Sequence, residues 1–287
     1  MSTKFSFQKG YRARAVFVIF NTLFFIALMV CMIVPILKVL ADSLMNKTVY
    51  GLQIIPDEFN LIAYRYIFTR SYLRTPLVIS VYTTLMTTFV GLALSTISAY
   101  ILIQKEMPGV KIFGYLLLFT MIFNGGLIPT YLVIKQVGLI DSLWSVILTV
   151  SVNVYNFVLM RSFFEQLPTS LFEAAEIDGC TPMGTFIRIA LPLSKAALAS
   201  IGLFFAVAAW SEYFHYVIYI SDVDKYNFQY RLRDLFADKT DSMDGMNINM
   251  KTLQSAAVIV SIVPFMFIYP FCQKYFMTGV TMGAVKE

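Results

Sequence analysis

The stretch AVFVIFNTLFFIALMVCMIVPIL, residues 15–37, contains no Asp, Glu, Lys or Arg and is bounded by Arg14 and Lys38. An ionised side chain at the centre of a bilayer costs about 2.5–3.5 kcal/mol, so a charge-free run of roughly twenty residues marks a helix that crosses hydrocarbon. Five further runs meet the same test: 75–104, 112–134, 142–160, 196–221 (interrupted only by Glu212) and 252–273. The six runs are between 19 and 30 residues long and together make up half of the 287-residue chain. Strands of a membrane barrel would be about half as long and would alternate apolar with polar residues, and no such alternation is present. The expected fold is therefore an all-α integral membrane protein of six transmembrane helices, in a single membrane domain over 1–287.

Composition agrees with the runs. Charged residues are 14% and hydrophobic residues 58% of the chain, whereas a soluble domain is about a quarter charged. The 22 basic and 17 acidic residues give a net charge of +5, a bias that membrane proteins acquire on one side of the bilayer, so it makes no case for nucleic acid. Cys31, Cys180 and Cys272 are far apart, with no disulfide or metal spacing. The first run is too long for a signal-peptide core and lacks a small-residue cleavage site after it, which makes it a retained helix. Eleven Lys and Arg fall on each side of the six-span arrangement, so loop length decides the orientation. Lys4, Lys9, Arg12 and Arg14 crowd the segment before the first span, and Lys105 and Lys111 flank a very short loop. Both features put the two termini in the cytoplasm.

The longest connection on that side is 161–195, and it is dense in local signals. Ser170 with Glu173 reads as a capping box for a short helix. Gly179 stands where a helix ends in a left-handed residue. Thr181-Pro182 is a second start, from which a helix over about 183–190 stops near Pro192. The expected product is a pair of short helices at the membrane surface, each too short to persist without packing.

Read as a string, Glu173-Ala174-Ala175-Glu176-Ile177-Asp178-Gly179-Cys180, with Phe186 and Leu191-Pro192-Leu193-Ser194-Lys195, resembles the EAA loop of importer permeases of the ATP-binding cassette class. Further segments are similar to the carbohydrate-uptake branch of that family, the maltose-type second permease and the lipoprotein-operon permease subfamily. They are Asn124-Gly125-Gly126-Leu127-Ile128-Pro129-Thr130-Tyr131, Leu159-Met160-Arg161-Ser162-Phe163-Phe164 and the tail from Gln273 to Lys286. Cys180, Ala196 and Glu287 depart from the usual Ala, Pro and Gly. The resemblance implies a type I importer permease fold. Glu173, Ala174, Ala175, Asp178, Gly179, Phe186 and Pro192 would form a coupling helix seated in a groove of a cytoplasmic ATPase. The small Ala174 and Ala175 suit close helix approach, and Glu173 suits a basic partner whose pairing sets register. Val285 and Lys286 would reach the interface between two ATPase copies.

The resemblance further implies a second permease subunit, an extracellular lipid-anchored substrate-binding protein and an oligosaccharide cargo, in a bacterial cell membrane. This chain would hold no cofactor or metal. ATP and Mg would be bound by the partner ATPases, in keeping with the absence here of a G-x-x-x-x-G-K-[ST] phosphate loop. A sugar needs hydrogen-bonding and aromatic groups where irregular backbone lines a cavity. The candidates are Asn124 and Tyr131 around the Asn-Gly-Gly break, Asn153 and Asn156 on the fourth run, and Trp210, Glu212, Tyr213 and Tyr216 on the fifth. Plainer roles stand beside these: Tyr216 and Tyr219 as an interfacial belt, Asn153 and Asn156 as glue between helices, and Glu212 as a helix-holding group. A secondary transporter or channel working without an ATPase is the alternative function, and Glu212 is the only acid within a run that supports it.

Overall fold

The computed structural model describes residues 4–47, 51–104, 106–237 and 248–284, and the regular elements among them are helices, with no β-strand. In chain order the helices are α1 (Lys4–Ser43), α2 (Ile62–Thr69), α3 (Ser71–Ile103), α4 (Val110–Ile122), α5 (Leu127–Gln136), α6 (Leu143–Ser151) and α7 (Val154–Phe164). They continue as α8 (Thr169–Ile177), α9 (Pro182–Thr185), α10 (Leu191–Leu193), α11 (Lys195–Trp210), α12 (Phe214–Tyr219), α13 (Phe228–Ala237) and α14 (Met250–Ala284). Helix α1 from Arg14 onward, α3, and α14 as far as Phe271 are each long and apolar enough to cross a membrane. The apolar runs 112–134, 142–160 and 196–221 are each divided into two helices.

The divisions have local causes. Between α4 and α5, Gly126 takes φ +87° and its N–H bonds Asn124 Oδ1 at 2.9 Å, an Asx turn that no helix can contain. Between α6 and α7 the chain bends by 45°. There Asn153 adopts an extended backbone, and its Oδ1 caps the new helix by accepting from Asn156 N at 3.1 Å. Between α11 and α12, Ser211, Glu212 and Tyr213 leave the helix without a Gly or Pro among them.

Two compact units are present, one from chain segments 1–67 and 238–260, the other from 68–237 and 261–287. In the first, the end of α1 is tied by Ser43 Oγ to Tyr64 Oη (2.7 Å) and by Asn249 N donating to Asn46 Oδ1 (3.0 Å). The apolar side chains of α1 from Val16 through Met32 are exposed on every face, as befits a helix solvated by lipid.

The second unit is organised on α3, against which α6, α7 and α11 pack. The face it presents carries Ser80, Thr83, Thr87, Gly91 and Ser95, all buried. That spacing of three or four residues makes one small-residue stripe of the kind that lets membrane helices approach closely. Gly91 is the tightest point, since a Cβ there would lie 2.7 Å from the Phe205 ring of α11. The core below this crossing joins Ala99, Tyr100, Phe157, Met160, Phe164, Phe186, Ala190, Ile201 and Phe205.

Candidate functional site

The segment singled out at 161–195 folds as a self-supporting projection rooted in that core. Helix α8 begins at Pro168, not at the expected Ser170-Glu173 box. Pro168 is extended (φ −58°, ψ 125°) and supplies no side-chain cap, which leaves Ser170 helical and unable to act as one. The end of α8 follows the expectation closely. Gly179 takes φ +74°, Cys180 N donates to Ala175 O (2.9 Å) and Gly179 N to Glu176 O (3.0 Å). This is a Schellman closure, which satisfies carbonyls at the helix end without any outside partner. Thr181 Oγ1 then accepts from Gly184 N at 3.2 Å, with Pro182 in the first turn of α9.

The second short helix runs on beyond the expected stop at Pro192. A Pro inside a helix removes one N–H and its ring crowds the carbonyl four residues back, here that of Arg188. The backbone widens to a π turn over Phe186–Ala190, in which Leu191 N reaches Phe186 O, and α10 continues to Leu193. The chain then turns by 81° between 182–193 and α11. Three residues root the projection: Ala175 and Phe186 are buried, and Tyr100 Oη donates to Pro182 O at 3.0 Å. Its outer side is open. Glu173, Ala174, Asp178 and Pro192 are exposed, and Ile177 is 87% exposed, with Met183 at 61%. Both apolar side chains stand beside the exposed acids Glu173, Glu176 and Asp178. Beside α8 a crevice of about 820 Å3 opens between the ends of α3, α4 and α7, with Gln104, Lys111, Arg161 and Phe172 in its walls.

The other sequence candidates gather at the breaks. Asn124 is exposed and its side chain serves the Asx turn, while Tyr131 on α5 stacks on Tyr219 at 6.4 Å. Asn153 is the α7 cap and Asn156 is buried. Trp210 is buried, with Nε1 donating to Ser261 O at 3.0 Å. Tyr216 is fully buried and its hydroxyl donates to Thr83 Oγ1 at 3.1 Å, a place inside the bundle and not on an interfacial belt. Glu212 holds the start of α12: its Oε1 accepts His215 N at 3.0 Å and its Oε2 lies 3.1 Å from His215 Nδ1. The Glu212 carbonyl accepts from Asn227 Nδ2.

Several residues that organise this region were not indicated by the sequence. Asp141 adopts φ +60° and its N–H bonds Tyr219 O at 2.8 Å. Its Oδ1 accepts from Ser221 N (3.0 Å) and Asp222 N (2.9 Å), and Lys225 Nζ reaches its carbonyl at 2.8 Å. The two backbone N–H groups, then Lys225, hold the Asp141 carboxyl below the usual carboxylate range. Asp141 and Asp222 in turn push the Lys225 ammonium up. On α13, Arg231 is buried between Tyr72 and Tyr226, 4.6 and 5.3 Å from their ring centres, and pairs with Asp234 at 3.2 Å. Arg233 lies over the Tyr213 ring at 4.2 Å. A dense run of Tyr and Arg over 226–233 was the available signal. Among the described residues no group of three His, Cys, Asp or Glu converges as a metal site. Val285 and Lys286 lie outside the described residues.

Comparison with known proteins places this architecture. Residues 6–281 match the family model described as "Binding-protein-dependent transport system inner membrane component". The polygalacturonan/rhamnogalacturonan transport system permease protein YtcP of Bacillus subtilis is 39% identical over 240 residues, 81% of this chain and 84% of the relative. Protein LplC of Bacillus subtilis is 37% identical over 285 residues, 96% of each. Among solved structures, a chain of a bacterial ABC transporter involved in the import of the acidic polysaccharide alginate superposes with a TM-score of 0.86 at 26% identity, covering 92% of this chain and 98% of that one. A model that matches nearly the whole chain, and a fold shared with an importer over the same extent, make this chain a member of the binding-protein-dependent transport system inner membrane components, the permease subunits of ATP-binding cassette importers and not enzymes.

Proposed function

We propose that this chain forms half of the translocation path for a saccharide oligomer and that α8 is the helix through which an ATPase drives it. Six crossings follow if α4 with α5, α6 with α7, and α11 with α12 each count as one broken span beside α1, α3 and α14. The positive-inside bias then puts both termini and α8 in the cytoplasm, and Asp141 and α13 outside. A second permease completes the path, two copies of an ATPase hold ATP and Mg, and an extracellular binding protein delivers the cargo. Its saccharide nature rests on the relatives named for polygalacturonan and rhamnogalacturonan and on the alginate importer.

The observation that carries the coupling role is the division of labour within 165–194. The projection closes its own backbone, roots Ala175 and Phe186 in the core, and still leaves Glu173, Ile177 and Met183 exposed. ATP-driven closure of the ATPases would pull on α8, and the root at Phe186 would pass that displacement to α3 and α11. Asn124 and Asn153 are the exposed members of the candidate path residues and Tyr131, Glu212 and Tyr213 are half-buried, while Asn156 is buried and Trp210 and Tyr216 brace the helices that frame the path. The test is Glu173→Ala and Ile177→Asp in the assembled transporter. Binding-protein-stimulated ATP hydrolysis and uptake are expected to be lost, with the thermal unfolding of the permease unchanged; normal coupled uptake in both variants would overturn the assignment.

A further inference from the structure

Arg231 and Arg233 sit two positions apart on α13, so they project from nearly opposite faces of the helix. Arg231 is consumed by the fold: it is buried, pairs with Asp234 and donates to Val223 O at 3.2 Å. Arg233 is exposed, and among the described residues no carboxylate pairs with it. Its guanidinium is instead laid on the ring of Tyr213 at 4.2 Å, where the fifth span breaks. Tyr213 in turn lies 5.9 Å from Tyr230, which stacks on Tyr226 at 3.7 Å. Glu212, the acid adjacent to Tyr213, is turned toward α12 and His215.

Stacking engages only the π face of a guanidinium. It does not use up the N–H donors of the fork, which are suited to two parallel bonds to a carboxylate. Tyr213 and Tyr230 are only half-buried, so aromatic surface of the kind against which the C–H groups of a pyranose pack remains beside it. A fixed cation beside such rings matches a sugar that carries a carboxylate on its ring. Resting on the saccharide reading above, we propose that Arg233, with Tyr213 and Tyr230, is an entrance subsite that reads the carboxylate of a uronate oligosaccharide, so that this permease selects acidic over neutral sugar chains.

The experiment uses the complete transporter in proteoliposomes, with trigalacturonate and its trimethyl ester as probes. Arg233→Gln is expected to lower the uptake efficiency of trigalacturonate by about tenfold to a hundredfold, the range for losing charge-assisted bonds. Arg233→Lys, which keeps the charge without the fork, should recover part of it. Uptake of the ester should not fall in either variant. The proposal is overturned if Arg233→Gln takes up trigalacturonate at the wild-type rate, if Gln and Lys variants lose acid and ester by the same factor, or if the wild-type transporter does not take up trigalacturonate. Failure of the underlying reading would show separately, as a wild-type complex whose ATP hydrolysis is not stimulated by its binding protein whatever the sugar.

Discussion

Helix α8 and the break between α11 and α12 both interrupt the long helices of one unit, yet they settle their backbone groups in opposite ways. At the end of α8 the caps are local, within five residues: Cys180 to Ala175, Gly179 to Glu176, Gly184 to Thr181, and only the Pro182 carbonyl is met from afar, by Tyr100. At the break, Glu212 caps His215 N locally, but the other partners come from far along the chain: Asn227 to Glu212, Trp210 to Ser261, Tyr216 to Thr83, Lys225 to Asp141. Local closure leaves a surface whose side chains are uncommitted and can be given to another protein. Remote closure makes a joint that cannot move without moving the helices on either side of it. On the function proposed above, the first arrangement would serve as a lever handle and the second as a hinge.

The comparison is broken most severely at the root of the lever. Phe186 is buried among Tyr100, Phe164 and Phe205, with its ring 4.9 Å from that of Tyr100. Phe186→Ala should cost about 3 to 5 kcal/mol by leaving a cavity in that core, and it should uncouple hydrolysis from uptake even in molecules that still fold. Thermal unfolding in detergent and ATP-driven uptake read the two effects; a variant with wild-type stability would show that the loop is not anchored there.

Gly179 tests local closure with a smaller effect. A Cβ at this position meets nothing within 4 Å, but φ is +74°, so the penalty is conformational only. Gly179→Val should cost more than Gly179→Asn, which tolerates the left-handed region, with about 1–2 kcal/mol for the former. Assembly with the ATPase should fall in that order, and equal loss in both variants would point to a direct contact at Gly179 in place of a turn requirement.

How much of this was legible beforehand differs between the two regions for the same physical reason. The all-helical membrane character and the long helices α1, α3 and α14 were readable from the positions of charges, because hydrocarbon penalises charge wherever it sits in the chain. The turns at Gly179 and Asn124-Gly125-Gly126 were readable because their chemistry is local and residue-specific. Ser211-Glu212-Tyr213 carries no Gly or Pro, and the Glu212 carbonyl is met by Asn227 from outside the run, so the bond of Glu212 to His215 N was the one local sign of the break. The capping box at Ser170 was misjudged because Pro168 already sets the start of α8. The stripe Ser80, Thr83, Thr87, Gly91, Ser95 was present as a helical spacing, but a reading that delimits spans by charge alone does not look inside them. Arg233 was hidden because its meaning comes from Tyr213, on another helix.

On the hinge side, Tyr216→Phe removes one hydrogen bond and no volume. Thr83 Oγ1 keeps its own bond to Ile79 O at 2.9 Å, so the loss should lie near the lower end of the usual 0.5–1.5 kcal/mol. Uptake should slow modestly, with ATP hydrolysis still coupled. A complete loss of uptake without loss of stability would move Tyr216 from brace to substrate contact.

The smallest effect belongs to the exposed clamp at Asp141, and its sign can be worked out from its charges. The Asp141 carboxyl is held below its ordinary value first by the N–H groups of Asp222 and Ser221, then by Lys225. A depressed acid contributes stability that is present above its unfolded pKa and is lost as pH falls through the folded one. Lys225 is raised, so its contribution is present below its unfolded pKa and is lost as pH rises through the folded value. The clamp should therefore hold across the neutral range and loosen at both ends. The protection of the Ser221 and Asp222 amides, their exchange relative to the intrinsic rate at the same pH, should be greatest between those limits and fall in acid. Asp141→Asn, which tolerates φ +60° as well as Asp does, should abolish the acid limb while leaving the fold intact. An unchanged acid limb in that variant would mean that the turn is held by its backbone bond from Asp141 N to Tyr219 O, and the hinge by its buried members alone.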